Sequence, residues 1–252
     1  MRLDLFIQNR DHERLFIVYE GEPKSRLALL AHGLSDVHDS PHMQALERGL
    51  RRAGYAVLRW DASNSWGRSG GKLERATLTK HFADMQDVVA WAKTQEWYPE
   101  RAPILVGHSL GGAAAMKLAV ANPKLVSSLI LVSPLVAGSL LAQALNPLLQ
   151  TLWWLVRILP EPGNPGSRYH YGLLHDARQY DGRLLVPKLK LNVDIISGAQ
   201  DKVVPVWQQV ELFQRIPKGF GAMTIIGGAA HTFDNNLDKL ERLISAILKN
   251  RD

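Results

Sequence analysis

Ser109 has the sequence context of a nucleophile. It stands in the pattern Gly107-x-Ser109-x-Gly111, after an apolar run at 104–106 and before an alanine-rich stretch at 113–121. This order predicts a strand, a sharp turn and a helix, with the serine strained at the turn and its hydroxyl exposed at the end of the strand. The glycines lack the Cβ atoms that would collide in such a turn. The pattern therefore indicates nucleophilic attack by a serine hydroxyl.

A serine hydroxyl is a weak nucleophile and needs a base, which in turn needs a carboxylate to fix its tautomer. In a sheet of this kind the chain order is serine, acid, histidine. We select His231 as the base because it comes directly after the last predicted strand and before the last predicted helix, whereas His170 and His175 lie in an insertion. Asp201, which follows the end of the preceding strand, is the expected acid.

The intermediate of such a reaction carries an oxyanion that needs backbone N–H donors. We expect one donor to be the N–H of Leu110, the residue after the nucleophile. The second is expected to be the N–H of Leu34, in the loop after an early buried strand, where Gly33 allows the backbone to turn. His32 and His108 are expected to support the site through hydrogen bonds rather than to act as bases.

The composition excludes several other kinds of chemistry. The 252 residues include no cysteine, so disulfides and thiolate catalysis are ruled out. The net charge is +6, but the sequence has no basic stripe interleaved with aromatic residues, and we expect no nucleic-acid partner. The spacing of His, Asp and Glu matches no zinc motif, so we expect no metal and no cofactor. The first residues lack the apolar region of a secretory signal, and we expect a cytoplasmic protein.

Apolar runs alternate with amphipathic stretches along the chain. This alternation predicts an α/β fold, a mostly parallel sheet with helices on both faces, and a ligand site at the carboxyl ends of the strands. The predicted strands are 15–20, 27–31, 56–61, 104–106, 129–132, 193–198 and 223–227. The predicted helices are 41–53, 78–93, 113–121, 206–216 and 237–248.

Residues 135–192 interrupt this alternation. We interpret them as a helical cap inserted into a core made of residues 1–134 and 193–252. One helix is expected at 139–145, and a second is expected to start at Asn146-Pro147 and to end near residue 159. The second helix is apolar on nearly all sides, although its polar residues argue against a transmembrane span. We expect Leu152 and Trp153 to contact the substrate; the remaining apolar surface could pack on the core, a second subunit or a membrane surface.

Five motifs together carry a family resemblance. They are His32-Gly33-Leu34, Arg59-Trp60-Asp61 with Gly67-Arg68-Ser69, Gly107-His108-Ser109-Leu110-Gly111-Gly112, Gly198-Ala199-Gln200-Asp201-Lys202-Val203-Val204-Pro205, and Gly228-Ala229-Ala230-His231. With them the chain resembles the α/β-hydrolase superfamily, and within it small bacterial carboxylesterases similar to feruloyl (cinnamoyl) esterases, monoacylglycerol lipases and serine aminopeptidase-type hydrolases. The resemblance implies that the insertion forms a cap over the site. The loop 62–66 departs from the usual Gly-His-Gly form of the family.

The sequence therefore predicts a cofactor-free serine hydrolase that cleaves a small-molecule carboxylic ester with an apolar acyl or alcohol part, through an acyl-enzyme. A peptidase, amidase or thioesterase with the same three residues is the alternative. An aminopeptidase would need carboxylates in the cap to hold the substrate ammonium, and Glu161, Asp176 and Asp181 are the acids available there. A non-catalytic protein that binds a membrane or a partner through the apolar segment is the third hypothesis.

Overall fold

A sheet of eight strands runs through the centre of the fold. The computed structural model describes residues 1–161 and 164–249, and within them the strands are β1 (Arg2–Gln8), β2 (Arg14–Glu20), β3 (Leu27–Ala31), β4 (Ala56–Trp60), β5 (Ile104–His108), β6 (Ser128–Val132), β7 (Ile158–Glu161), β8 (Asn164–His170), β9 (Asn192–Gly198) and β10 (Gly221–Ile226). The large sheet has the order β1-β2-β4-β3-β5-β6-β9-β10. The β1–β2 and β2–β4 pairs are antiparallel and the other five pairs are parallel. This confirms the predicted mostly parallel sheet.

Helices cover both faces of this sheet. Within the described part of the chain they are α1 (Pro41–Arg52), α2 (Leu78–Ala92), α3 (Leu110–Ala121), α4 (Gly138–Ala144), α5 (Pro147–Val156), α6 (Gly172–Ala177), α7 (Val206–Gln214) and α8 (Leu237–Lys249). Apolar residues of α1 and α8 form one core, whereas those of α2, α3 and α7 belong to another. Neighbouring residues of β3 contribute to different cores. Leu30 belongs to the core with α1 and α8, and Leu29 belongs to the core with α2, α3 and α7. Because both faces are covered, β3 is apolar throughout, as the sequence predicted.

Strand β1 was absent from the predictions. It lies at the edge of the sheet, and its odd-numbered residues Leu3, Leu5 and Ile7 pack against the core while the even-numbered ones are exposed. Alternation of this kind is the signal of a strand with one solvated face, and in the sequence only the apolar Phe6 breaks it.

The inserted segment begins as predicted and then differs. Helix α5 starts at the expected position, where the Asn146 side chain accepts a hydrogen bond from the N–H of Leu148 at 2.8 Å. The helix ends at Val156, earlier than predicted, because Arg157 takes a φ of +67° and turns the chain into the antiparallel pair β7–β8. The insertion is therefore not purely helical. Residues 162–163 of the predicted cap and 250–252 of the predicted core lie outside the described residues.

A bilayer-spanning helix needs about 20 predominantly apolar residues. Across 1–161 and 164–249, we find no helix that combines the required length and hydropathy.

Candidate active site

Ser109 occupies a strained turn between β5 and α3. Its backbone has φ +51° and ψ −116°, a conformation that L-residues rarely adopt. Three backbone hydrogen bonds hold it there. The N–H of Ser109 donates to the carbonyl of Val132 at 3.0 Å, and the carbonyl of Ser109 accepts from the N–H groups of Ala113 at 3.2 Å and Leu135 at 3.0 Å. Backbone strain of this kind persists only where the surroundings fix it, and such positions cluster at functional sites.

The two glycines of the motif are required by close backbone contacts. A Cβ at Gly107 would lie 2.5 Å from the carbonyl oxygen of Gly111, and a Cβ at Gly111 would lie 2.4 Å from that of His32. Both distances are too short for a real side chain, so the strand, the helix and the loop after β3 can pack this closely only with glycine. The sharp turn predicted from the spacing of the glycines is confirmed.

The side chains of Asp201 and His231 form a hydrogen-bonded carboxylate–imidazole pair. Asp201 follows β9 and His231 follows β10, so both lie at the same edge of the sheet as Ser109. The Nδ1–H of His231 donates to Oδ2 of Asp201 at 2.8 Å, and the carboxylate side chain is fully buried. With the hydrogen on Nδ1, Nε2 is left as the proton acceptor.

Asp201 is held in its ionised form. Burial alone would raise the pKa of its carboxyl group, but the hydrogen bond and charge interaction with His231, together with the N–H of Val204, bring the pKa below its usual value. The other carboxylate oxygen accepts hydrogen bonds from the N–H groups of Val203 and Val204 at 2.9 and 2.8 Å. The carboxylate is therefore both charged and fixed in orientation toward the imidazole.

The loop after β3 approaches Ser109 through Gly33. A Cβ at Gly33 would lie 3.0 Å from Cβ of Ser109, so the backbone that leads into Leu34 passes next to the serine. His32 fixes this loop, because its Nε2 accepts the N–H of Ala62 at 2.9 Å and its Nδ1 contacts the carbonyl of Gly33 at 2.7 Å. Burial lowers the pKa of His32, which favours this neutral form. The geometry agrees with the supporting role expected for this residue.

One cavity of about 710 Å³ brings these groups together. Ser109, His231, Leu34 and Leu110 all line it. Most of the remaining wall is apolar, and its larger side chains are Trp66, Leu135, Leu140, Leu141, Leu173, Val203, Val204 and Trp207. The two tryptophans were not predicted from the sequence. Both are about half exposed. Trp66 lies six residues after the end of β4, and Trp207 is the second residue of α7.

The predicted substrate contacts Leu152 and Trp153 are not among the residues that line this cavity. The indole N–H of Trp153 donates to the carbonyl of Tyr169 at 2.9 Å, so α5 packs against the β7–β8 hairpin. The side chain of Leu152 is about half exposed. Leu140 and Leu141 of α4 stand in the cavity wall instead, and contact of Leu152 and Trp153 with a substrate stays a prediction.

A second group of titratable side chains meets behind the turn. Asp36, His42 and His108 each offer one ligand atom, and these atoms all lie within 4.8 Å of one another. No metal-binding motif is recognisable in the sequence, because the loop after β3, helix α1 and the end of β5 supply one residue each. Only the fold brings them together.

The comparisons with known proteins agree with this architecture. The family model described as "Serine aminopeptidase, S33" matches residues 22–181, which is more than half of the chain. The palmitoyl-protein thioesterase ABHD10, mitochondrial, of Bos taurus is 27% identical over 181 residues, covering 68% of this chain and 56% of that protein. The monoglyceride lipase of Rattus norvegicus is 32% identical over 135 residues, covering 52% of this chain and 43% of that protein. The chain thus spans about half the length of these curated relatives.

A solved structure shares the fold over almost the whole chain. Est1E from Butyrivibrio proteoclasticus, with ferulic acid bound, superposes with a TM-score of 0.86 at 22% identity and covers 98% of each chain. At this identity the likeness establishes the α/β-hydrolase fold and not the substrate.

Proposed function

Because the chain belongs to the family described as serine aminopeptidase S33, a family of α/β-hydrolases, we propose that it is a serine hydrolase that cleaves carboxylic esters with an apolar acyl or alcohol part. The family and the names of the curated relatives support a hydrolase of the esterase, lipase and thioesterase kind. The observation that carries the finer proposal is the apolar cavity whose wall includes both Ser109 and His231, the latter hydrogen-bonded to Asp201.

The proposed reaction has two halves. Ser109 Oγ attacks the ester carbonyl carbon while Nε2 of His231 takes its proton, and the N–H groups of Leu34 and Leu110 bind the developing oxyanion. The C–O bond to the alcohol then breaks, and His231 returns the proton to the leaving oxygen. Water attacks the acyl-enzyme with His231 again as the base, which releases the acid and restores Ser109. Asp201 stabilises the imidazolium in each half.

The charges in the cavity favour an ester over an aminopeptidase substrate. Among the described residues of the wall, Lys202 is the only one with a permanent charge, and no carboxylate stands there to bind a substrate ammonium. Asp176 accepts hydrogen bonds from the N–H and hydroxyl of Thr79, and Asp181 pairs with Arg183 at 2.8 Å. Two of the three cap acids proposed from the sequence therefore have hydrogen-bond or ion-pair partners outside the cavity. The side chain of Glu161 is not among those that the structure describes.

A thioester is the second candidate substrate. It uses the same nucleophile and base, and the bovine relative is itself named as a palmitoyl-protein thioesterase. Cleavage of a thioester differs from cleavage of an ester only in the leaving group, which is a thiol instead of an alcohol.

We also propose that residues 135–192 act as a cap over the cavity, on a core of 1–134 and 193–252. Leu140 and Leu141 of α4 and Leu173 of α6 contribute to the cavity wall from this segment. Helix α5 exposes apolar side chains, with Leu148 80% and Leu155 62% exposed. That a second subunit or a membrane surface covers them stays a prediction, as does a cytoplasmic location.

A substrate panel tests the proposal. We expect turnover of p-nitrophenyl esters with butyl to octyl acyl chains, and little or no hydrolysis of aminoacyl p-nitroanilides that carry a free ammonium group. Acyl thioesters of the same chain lengths, followed with a thiol reagent, test the second candidate. Faster hydrolysis of the aminoacyl anilides than of the esters would contradict the ester assignment.

A further inference from the structure

Asp36, His42 and His108 form a compact buried group behind the Ser109 turn. Oδ2 of Asp36 lies 3.0 Å from Nε2 of His42 and 3.9 Å from Nδ1 of His108. Their side chains are 12%, 4% and 3% exposed, respectively. The group combines two imidazoles and one carboxylate, and the proposed reaction uses none of the three.

The ring of His108 carries a buried lone pair that lacks a partner. Its Nε2 lies 3.0 Å from the carbonyl oxygen of His231, and because a carbonyl can only accept, Nε2 carries the hydrogen. With the hydrogen on Nε2, the neutral ring leaves Nδ1 as a lone pair. Within the described chain, Nδ1 has no hydrogen-bond partner.

Two acceptors face each other in this space. Nδ1 of His108 lies 3.9 Å from a carboxylate oxygen of Asp36, and two neighbouring acceptors are unfavourable unless a donor or a cation lies between them. Gly33 leaves room beside the lone pair, since a Cβ at that position would lie 3.1 Å from Nδ1. The partly exposed Asp36 offers a path to solvent.

We propose that Asp36, His42 and His108 bind one divalent transition-metal ion of the zinc class. Imidazole nitrogens and a carboxylate oxygen suit such ions, and a set of three protein ligands leaves one position for water. This metal site does not depend on the proposed function, because no step of ester cleavage involves the ion.

Hydrogen bonds around the three residues suit ligation. Metal-binding histidines usually donate their other ring N–H to a carbonyl or a similar group, which fixes the ring. His108 does so to the carbonyl of His231. For His42 the Oγ of Ser40 lies 3.4 Å from Nδ1, so this nitrogen can carry the hydrogen when Nε2 binds the ion. Without the ion, Nε2 of His42 carries a hydrogen toward Asp36, and that hydrogen must leave Nε2 on binding.

Binding requires the three ligand atoms to move closer together. Two atoms bonded to one tetrahedral zinc ion at 2.0–2.1 Å lie about 3.4 Å apart. Since the three ligand atoms lie within 4.8 Å of one another, the widest separation has to shorten by up to about 1.4 Å. Rotation of the His42 and Asp36 side chains can supply this change.

Titration with Co²⁺ tests the site, because the ion reports low-coordinate nitrogen and oxygen ligation through its visible absorption. Protein freed of metal with a chelator is titrated with Co²⁺, and Zn²⁺ is then added as a competitor. We expect one equivalent to bind with intense visible bands that Zn²⁺ abolishes. Asp36→Asn, His42→Gln and His108→Gln should each weaken binding by at least about tenfold. His175→Gln removes an exposed imidazole elsewhere and should leave the titration unchanged.

Absence of the bands in the parent protein, or equal bands in the parent and the three variants, would overturn the proposal and leave a buried water in this space. Should a variant fail to fold, anomalous scattering at the zinc edge from crystals of the parent decides the matter. A peak between Asp36, His42 and His108 supports the site, and peaks confined to other positions overturn it. Neither experiment measures ester turnover, so failure here is distinct from failure of the proposed function.

Discussion

Leu140 and Leu141 should set the preference for long acyl chains. Both line the cavity from α4 and are only partly buried, so truncation to alanine opens the wall without emptying a closed core. Each Leu→Ala change removes three carbon atoms that an acyl chain can cover. At about 0.8 kcal/mol for each buried methylene, and with about half of this surface covered by substrate, the loss is about 1–2 kcal/mol. This corresponds to a decrease in kcat/KM of about five- to thirtyfold.

The assay compares kcat/KM for p-nitrophenyl acetate, butyrate and octanoate in the parent, Leu140→Ala, Leu141→Ala and Leu152→Ala. The acetate should be nearly unaffected, because its single methyl group offers little surface for the leucines to cover, whereas the octanoate should lose the full factor. Leu152→Ala is the matched control, since it removes the same atoms from a side chain outside the cavity wall. Thermal unfolding of each variant shows whether the fold is retained. Equal losses at all chain lengths, or the same selectivity change in Leu152→Ala, would refute the assignment of the wall.

Three further predictions concern the acid, the base and metal dependence. Asp201→Asn should lower kcat by about 10³–10⁴ with little change in KM, because an amide neither favours the Nδ1–H tautomer nor stabilises the imidazolium; full activity in steady-state assays would mean that another carboxylate is the acid. Since the pKa of the Asp201 carboxyl group lies below its usual value, the carboxylate should stay ionised as the pH falls, so protonation of Asp201 should not cause the loss of kcat/KM that a histidine base produces in acid. A rate that stays flat between about pH 5 and pH 9 would argue against a histidine base. Dialysis against EDTA should leave ester turnover unchanged, because backbone amides hold the oxyanion; a loss that zinc restores would contradict the mechanism.

The site features that the sequence predicted are those set by local sterics or by chain order. The turn at Ser109 follows from two glycines whose Cβ atoms would collide with the backbone, which is a constraint within a few residues. Asp201 and His231 could be selected because the strands they follow are parallel and end at the same edge of the sheet. The 2.8 Å hydrogen bond between His231 Nδ1 and Asp201 Oδ2 agrees with this placement at one edge of the sheet.

The features that were missed depend on packing between distant elements. The spacing of Leu152 and Trp153 is helical, but it does not tell which side of α5 faces the cavity. That orientation is set by the β7–β8 hairpin, to which Trp153 donates its hydrogen bond. Likewise, Asp36 and His108 come from a loop and a strand end, and only the parallel pairing of β3 with β5 brings them together.

The identity of the nucleophile is the central claim, and active-site labelling tests it most directly. A fluorophosphonate reacts with a serine that a neighbouring base activates, and mass spectrometry of the digested protein then locates the modified residue. We predict one label per chain, on Ser109, with simultaneous loss of ester turnover. Ser109→Ala should remain folded, because the hydroxyl is small and lies at a cavity wall, and should lose both labelling and turnover by about 10⁴–10⁶. Labelling of another residue, or labelling of Ser109→Ala at the rate of the parent, would contradict the account.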